Sequence, residues 1–325
     1  MAQSRRKLDP RSPFMMERLM RMWRLQHGEE ETFADEDEFR VRMEEIGHTT
    51  LARRYGKLLR EDPRERAQDL AYRAYEVGEF EQTLALVEQA LELDPRCVEA
   101  LTVKAMLSCG DVGELIPRLE QAAAVGEELL GEEFFSEPKG DFWSLVEARP
   151  YVRCLKQLAE VLWNVGRRLD AVARYESIMD LDPDNHLGNG VLLLGDYLAV
   201  GEVQRSWDLL EKIDDGEIAV FNWSWVLLFL MIGDEDGARD ALDHALDLNP
   251  YVAPLLIGLG GDEEPLTAPT YTIGSREEAI YCLQVLGEAW TGHLSAHWWL
   301  LDVLHEMGLV TEDDAPMPEN PSTIN

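Results

Sequence analysis

At residues 141–183 the chain runs DFWSLVEARPYVRCLKQLAEVLWNVGRRLDAVARYESIMDLDP, and this stretch spells out a helix, a turn and a second helix. Leu155, Leu158, Ala159 and Leu162 recur at helical spacing on the first. Gly166 breaks the run, with Arg167 and Arg168 in the turn. Ala171, Tyr175 and Ile178 then form the inner stripe of the second helix. Leu181-Asp182-Pro183 closes it, because proline can neither donate to the helical ladder nor fit the preceding turn. Small residues at 159 and 171 let the two axes approach, and the larger side chains fill the seam.

The pattern returns elsewhere. LALVEQALELDP closes on Pro95 and ARDALDHALDLNP on Pro250. Pro183 and Pro250 lie 67 residues apart, and Pro95 and Pro183 lie 88 apart. Both spacings fit two units of about 34 residues, the second with about 20 extra. The unit resembles the tetratricopeptide repeat, a helix-turn-helix that closes on a proline. Stacked repeats touch only their neighbours, so a chain of 325 residues needs no single large core. The resemblance implies an all-α fold, a right-handed superhelix of about five helical hairpins with an N-terminal helical extension and C-terminal capping helices. Helix is expected to exceed about 60%, against the usual third.

In chain order, residues 1–62 form the extension. Within it, Pro13 to Gln26 can form one helix with Phe14, Met15, Leu19, Met22 and Trp23 apolar and arginines opposite. Acidic residues 29–31 and 35–38 make a hinge before helices near 36–46 and 49–60, and Pro63 opens the first repeat helix. The solenoid is placed at 63–250. Leu70, Ala71, Ala74, Gly78 and Ala90 mark its first unit, and Leu101, Ala105 and Gly110 a weaker second, where Pro117 fits only near a helix start. An insertion near 127–148 holds a turn at Glu137–Gly140 between Phe134-Phe135 and Phe142-Trp143, either a plug between repeats or a binding lip. Leu192, Leu193, Tyr197, Gly201 and Trp207 mark the unit at 186–218; Trp225, Val226, Phe229, Gly233, Ala238, Leu242 and Ala245 mark that at 219–250. Residues 251–274 are expected as a crossing loop. Ser275 with Glu278 forms a capping box for a helix over 276–291, and a last helix runs near 294–307. Residues 311–325 are expected to be disordered.

The net charge of −33 would repel a nucleic-acid backbone and excludes it as the main partner. Acid excess, with six lysines against 24 arginines, fits a protein kept soluble in high salt, a GC-rich genome or a surface for a basic binding partner. The charge is uneven, since residues 1–28 carry seven basic groups and two acids. A basic amphipathic helix there could meet an acidic membrane or nucleic acid, but docking on the chain's own acidic body is favoured. No signal peptide follows Arg5-Arg6, and Val220–Ile232 is too short to span a bilayer, so a soluble, cytoplasmic protein is expected. Cys97, Cys109, Cys154 and Cys282 lie in helical runs without pairing motifs and are expected to be reduced and mostly buried.

GDFW at 140–143, ARPYVR at 148–153, LAEVLWNVGR at 158–167, LLIG at 255–258 and APTY at 268–271 sharpen the likeness. Over about 125–300 the chain is similar to bacterial tetratricopeptide proteins described as related to the suppressor-of-tumorigenicity-seven family. That resemblance implies an interaction scaffold for a protein or peptide, with no reaction and no cofactor.

Chemical motifs are sparse. His293 and His297 stand one helical turn apart and could share a metal in a metal-dependent enzyme. His293 falls in a helix cap, however, and His305 is about 18 Å further along the axis, too far to join them. Gly258-Leu259-Gly260-Gly261 lacks the preceding strand and the following Lys-Ser/Thr of a phosphate loop. A purely structural role in a homo-oligomer is the other alternative. Trp163, Trp207 and Trp225 are expected in the core, and one of Trp298 and Trp299 at the surface.

If the repeats stack as the resemblance implies, the first helix of each hairpin lines a groove. Counted back from Pro183, its groove-facing positions are Arg153, Lys156, Glu160 and Trp163; from Pro250 they are Val220, Trp223, Leu227 and Leu230. Asn189 and Tyr197 come from the unit between. Arg149 joins Arg153 and Lys156 in a basic spot suited to a carboxylate such as a peptide C-terminus, with Trp223 and Tyr197 packing side chains. The competing expectation pairs Arg149 and Arg153 with internal acids such as Glu147 and Glu160. The expected partner-binding set is therefore Arg149, Arg153, Lys156, Trp163, Asn189, Tyr197 and Trp223, with no catalytic or metal-binding residue.

Overall fold

Local chemistry fixes the helix ends. Asp62 accepts from the backbone N–H of Arg64 at 2.8 Å and of Glu65 at 3.4 Å, and Pro63 occupies the first helical position, where its missing donor costs nothing. Asp111 and Asp234 cap later helices in the same way. At Gly166, Gly201 and Gly233 the backbone turns left-handed, with φ near +80°. Each of these glycines donates to a carbonyl three residues back, and the following residue donates five back, a paired closure that only glycine enters without strain.

The computed structural model describes residues 12–27, 36–136, 145–183, 185, 188–259 and 271–310. Of these, 80% are helical and none lies in a strand. The expected Glu137–Gly140 turn, Phe142, Trp143, Gly260, Gly261, the basic residues before position 12 and the tail from 311 lie outside the described residues. No described helix is long and apolar enough to cross a membrane.

The chain divides into two compact units, Met1–Pro183 and Asp184–Asn325, a boundary inside the span expected to form one run of repeats. The first unit holds α1 (Met15–His27), α2 (Glu36–Ile46), α3 (His48–Glu61), α4 (Pro63–Glu76), α5 (Phe80–Leu93), α6 (Val98–Ser108), α7 (Val112–Leu130), α8 (Glu132–Ser136), α9 (Arg149–Asn164) and α10 (Arg168–Leu181). Pairs α4/α5, α6/α7 and α9/α10 are hairpins. First helix packs on first helix, α4 on α6 and α6 on α9. Ala67, Leu70, Ala71 and Ala74 of α4 meet Leu86, Val87 and Ala90 of α5 in one apolar cluster. Leu158, Leu162 and Ala171 meet Ile116 and Leu119 in another. Gly126 of α7 is required by closeness rather than by conformation, since a Cβ there would stand 2.7 Å from the Tyr151 ring. Pro117 is the sixth residue of α7, inside the helix.

The second unit holds α11 (Asn189–Val200), α12 (Val203–Ile213), α13 (Ala219–Ile232), α14 (Glu235–Leu248), α15 (Val252–Leu256), α16 (Arg276–Gly292) and α17 (Leu294–Glu306). Hairpins α11/α12 and α13/α14 stand side by side, and α16 lies across α11 and α13. Helix α15 corrects the expected crossing loop at its start: Val252, Ala253, Leu255 and Leu256 are all buried, so this short run wraps into a turn of helix to hide them. The capping box at Ser275 is half formed. Its hydroxyl accepts from the Glu278 N–H at 3.2 Å, but the Glu278 carboxylate turns away to other donors.

Candidate functional site

Helix α4 carries Glu65, Asp69, Tyr72 and Glu76 at positions i, i+4, i+7 and i+11, one stripe down a single face. Helix α1 carries Phe14, Arg18 and Arg21 at matching spacing, with Phe14 just ahead of its first turn. The two stripes meet antiparallel. Phe14 stacks on Tyr72 with ring centroids 4.6 Å apart. Arg18 donates to Asp69 at 3.0 Å and to Glu76 at 2.7 Å, and Arg21 forks onto Glu65 at 2.8 and 2.7 Å. The Tyr55 hydroxyl of α3 completes Asp69 at 2.9 Å. Beyond the stripe, Arg24 reaches Glu147 at 2.8 Å.

Glu17 points from α1 to α9. Its two oxygens accept from Arg153 Nη1 at 2.7 Å and Nη2 at 3.0 Å, and from the Tyr72 hydroxyl at 2.8 Å. Arg149 approaches the same carboxylate at 3.6 Å. Arg153 also donates to Glu99 of α6, from Nε at 3.0 Å and from Nη2 at 2.5 Å, and Gln68 adds a further bond to Glu99 at 3.2 Å. One guanidinium thus joins α1, α6 and α9. It lies over the rings of Phe14 and Tyr72 at 5.4 and 5.8 Å, where the ring quadrupole favours a cation.

The electrostatics follow. Burial works against a charged Glu17, but Arg153, Arg149 and the Tyr72 hydroxyl outweigh it and hold its carboxyl below the usual value of 4.5. Burial likewise opposes the Arg153 charge, and Glu99 and Glu17 more than compensate. A carboxyl with a depressed folded pKa stabilises fully above its unfolded pKa and loses that contribution as pH falls through the folded value. Glu17→Gln is therefore expected to cost about 2 kcal/mol at neutral pH, as hydrogen bonds to a charged group do. The gap between wild type and variant should close as pH drops below 4.5, read from unfolding curves across that range.

Of the expected set, Arg149 and Arg153 come together here, Arg149 beside Glu17 and Arg153 on Glu17 and Glu99. Arg153 thus pairs with internal acids as the competing expectation had it, though with Glu17 and Glu99 as the acids. Lys156 and Trp163 continue along the same side of α9, both half-buried. Lys156 eases the charge of Glu160, whose pKa burial nonetheless raises, and Arg168 lies 5.0 Å over the Trp163 ring. Asn189, Tyr197 and Trp223 belong to the second unit and are buried. Trp223 does not line an open face. It is completely covered, packing edge-on against Trp290 of α16 at 5.9 Å, because the apolar side of α13 with Val220 and Leu227 takes α16 as its cover.

Glu17, Glu65, Asp69, Tyr72 and Glu99 were missed from sequence. The available signal was an acid set among apolar residues in a helical run, Glu99 within VEAL above all. His293 Nδ1 lies 2.7 Å from the Ala289 carbonyl, and among the described residues no three His, Cys, Asp or Glu side chains gather as metal ligands. Trp299 packs against the core of its unit while Trp298 stays 47% exposed. All four cysteines are free thiols; burial pushes Cys97 up to about 12 and Cys154 to about 11. Chemically the cluster is a forked cation that receives the Glu17 carboxylate presented by α1 and the Glu99 carboxylate of α6. No family model matches the chain, and no curated protein is similar to it.

Proposed function

We propose that this chain is a non-enzymatic interaction scaffold built of tetratricopeptide-type hairpins, holding a protein or peptide segment on the face made by the first helices of those hairpins. The observation that carries this is the Arg153 fork. On the face shared by α4, α6 and α9, a helix is already held by its carboxylate and by an aromatic stack. Side chains placed that way bind an amphipathic helix through anchors at helical spacing. Lys156 and Trp163 extend the same side of α9 and give a ligand a cation and a ring to engage. Free thiols, three of the four buried, fit the reducing cytoplasm as the place of work.

Pull-down with the wild type and with a Lys156→Glu/Trp163→Ala double variant tests this. The variant should lose its partners or hold them about tenfold less tightly, the weight of one or two well-placed contacts. Recovery of the same partners by a variant with an unchanged circular dichroism spectrum would remove this face from consideration.

A further inference from the structure

In the first unit, α1 has two unlike sides. Met15, Leu19, Met22 and Trp23 pack with Phe39, Met43, Leu51, Tyr55 and Leu59 of α2 and α3 in an apolar cluster separate from those of the hairpins. Its other side meets the hairpins almost wholly through charge: Glu17 on Arg149 and Arg153, Arg18 on Asp69 and Glu76, Arg21 on Glu65. Burying so many charges between two apolar clusters gains little net stability, because desolvation offsets most of the attraction. What such a seam does give is selectivity, since a helix with any charge out of register leaves a buried ion without a partner.

From this we infer that α1 occupies, in cis, a binding slot for a helix of a separate partner protein, and that the slot takes a basic amphipathic helix with an aromatic residue followed by Glu at the third position and Arg at the fourth and seventh. The inference rests on the scaffold reading above and names the ligand class for the same face. Charge complementarity selects the class. The hairpin side of the slot presents Glu65, Asp69 and Glu76 in a row to receive arginines, and one cationic place, Arg149 with Arg153, to receive the glutamate. Tyr72 receives the aromatic ring. A uniformly basic helix would set a cation against Arg153, and an acidic one would face three carboxylates. Because α1 is part of the chain, it competes at an effective concentration of roughly millimolar order, so only a ligand that binds better than α1 enters.

The test weakens α1 and leaves the slot intact. In the full chain, Phe14→Ala/Arg18→Ala/Arg21→Ala removes three anchors from α1 and none from α4, α6 or α9. A fluorescent synthetic peptide with the wild-type sequence of residues 12–27 should bind this variant at least about tenfold more tightly than it binds wild type, since the competing tethered helix is weakened. The same peptide carrying Glu17→Lys should not bind. Hydrogen exchange on the unmodified chain should show α1 amides exchanging about tenfold or more faster than those of α4 and α9, as a locally opening element does. The inference is overturned if the variant keeps its fold but does not take the peptide. It is also overturned if the variant loses its fold, or if α1 exchanges as slowly as α4, since α1 is then an integral part of the core. A wild-type dimer that the peptide disperses would place a second copy's α1 in the slot and overturn the assignment to a separate partner. If peptide binding fails while Lys156→Glu/Trp163→Ala still loses its partners, only the identity of the ligand falls and the scaffold reading stands.

Discussion

Arg153→Ala is expected to destabilise the first unit by about 3–5 kcal/mol, the cost of stripping one member from a buried ion cluster. The Glu99 side chain is fully buried and that of Glu17 is 10% exposed, so neither can turn to water when the guanidinium goes. Gln68 and Tyr72 would each still donate one hydrogen bond, to Glu99 and Glu17 respectively, and Arg149 would remain 3.6 Å from Glu17. The lost packing over Phe14 and Tyr72 adds to this. Urea unfolding at neutral pH measures the loss. The companion is the triple variant Arg153→Met/Glu17→Gln/Glu99→Gln, in which neither carboxylate is left charged beside a missing guanidinium. It should recover most of the loss, since apolar or neutral replacements of a whole buried cluster are often neutral or stabilising. If Arg153→Ala costs less than about 1 kcal/mol, the cluster is wetter than its geometry implies and the argument for a selective seam fails with it.

Hairpin seams were legible because they depend on local spacing. Leu155, Leu158, Ala159, Leu162, Ala171, Tyr175 and Ile178 repeat at helical intervals, and all seven are buried. Helix ends were legible for the same reason, through Pro63, Gly166, Gly201 and Gly233. What local spacing does not carry is which distant helix covers an exposed apolar or charged stripe. The run from Ala219 to Ile232 is apolar apart from Asn222 and Ser224, and sequence alone leaves open whether a ligand or the chain itself covers Val220, Trp223 and Leu227. The structure shows α16 doing so. Likewise the arginines of α1 and the acids of α4 are each visible as stripes, but their antiparallel match is a tertiary fact. In sequence Arg153 is a cation on a position expected to face the groove; its meeting with Glu17, 136 residues away, is set by the fold.

How firmly α16 is held in the second unit turns on Glu278, and Glu278→Ala is expected to cost about 3 kcal/mol or more. The carboxylate is almost wholly buried and accepts from three N–H groups: Ala219 at 2.9 Å, Gly274 at 2.7 Å and the Asn249 side chain at 2.9 Å. Ala219 is the first residue of α13, so Glu278 also places a negative charge at the positive end of that helix. Through Asn249, which donates again to the Ser275 carbonyl at 2.9 Å, it ties the end of α14 to the start of α16. Alanine would take the acceptor from three donors: the buried Ala219 N–H, the part-buried Gly274 N–H and one N–H of the Asn249 amide, which keeps its bond to Ser275. The cost is about 1–3 kcal/mol for each that is left unsatisfied and buried. Glu278→Gln keeps one acceptor oxygen but turns an NH₂ group toward another donor, and should fall between alanine and wild type. A loss of this size lowers the midpoint of thermal unfolding by roughly 10 °C for a unit of this length. The fluorescence of Trp223 and Trp290, buried together where α16 crosses α13, should report the same transition. Close packing offers an independent check on the same helix. A Cβ on Gly195 of α11 would stand 2.5 Å from the Val285 carbonyl oxygen of α16, a backbone atom that no rotamer change can move aside. Gly195→Ala must therefore shift one helix bodily, at about 1–3 kcal/mol for overpacking. If Glu278→Ala and Gly195→Ala both left the melting transition unmoved, α16 would not be the cover that the burial of Trp223 requires.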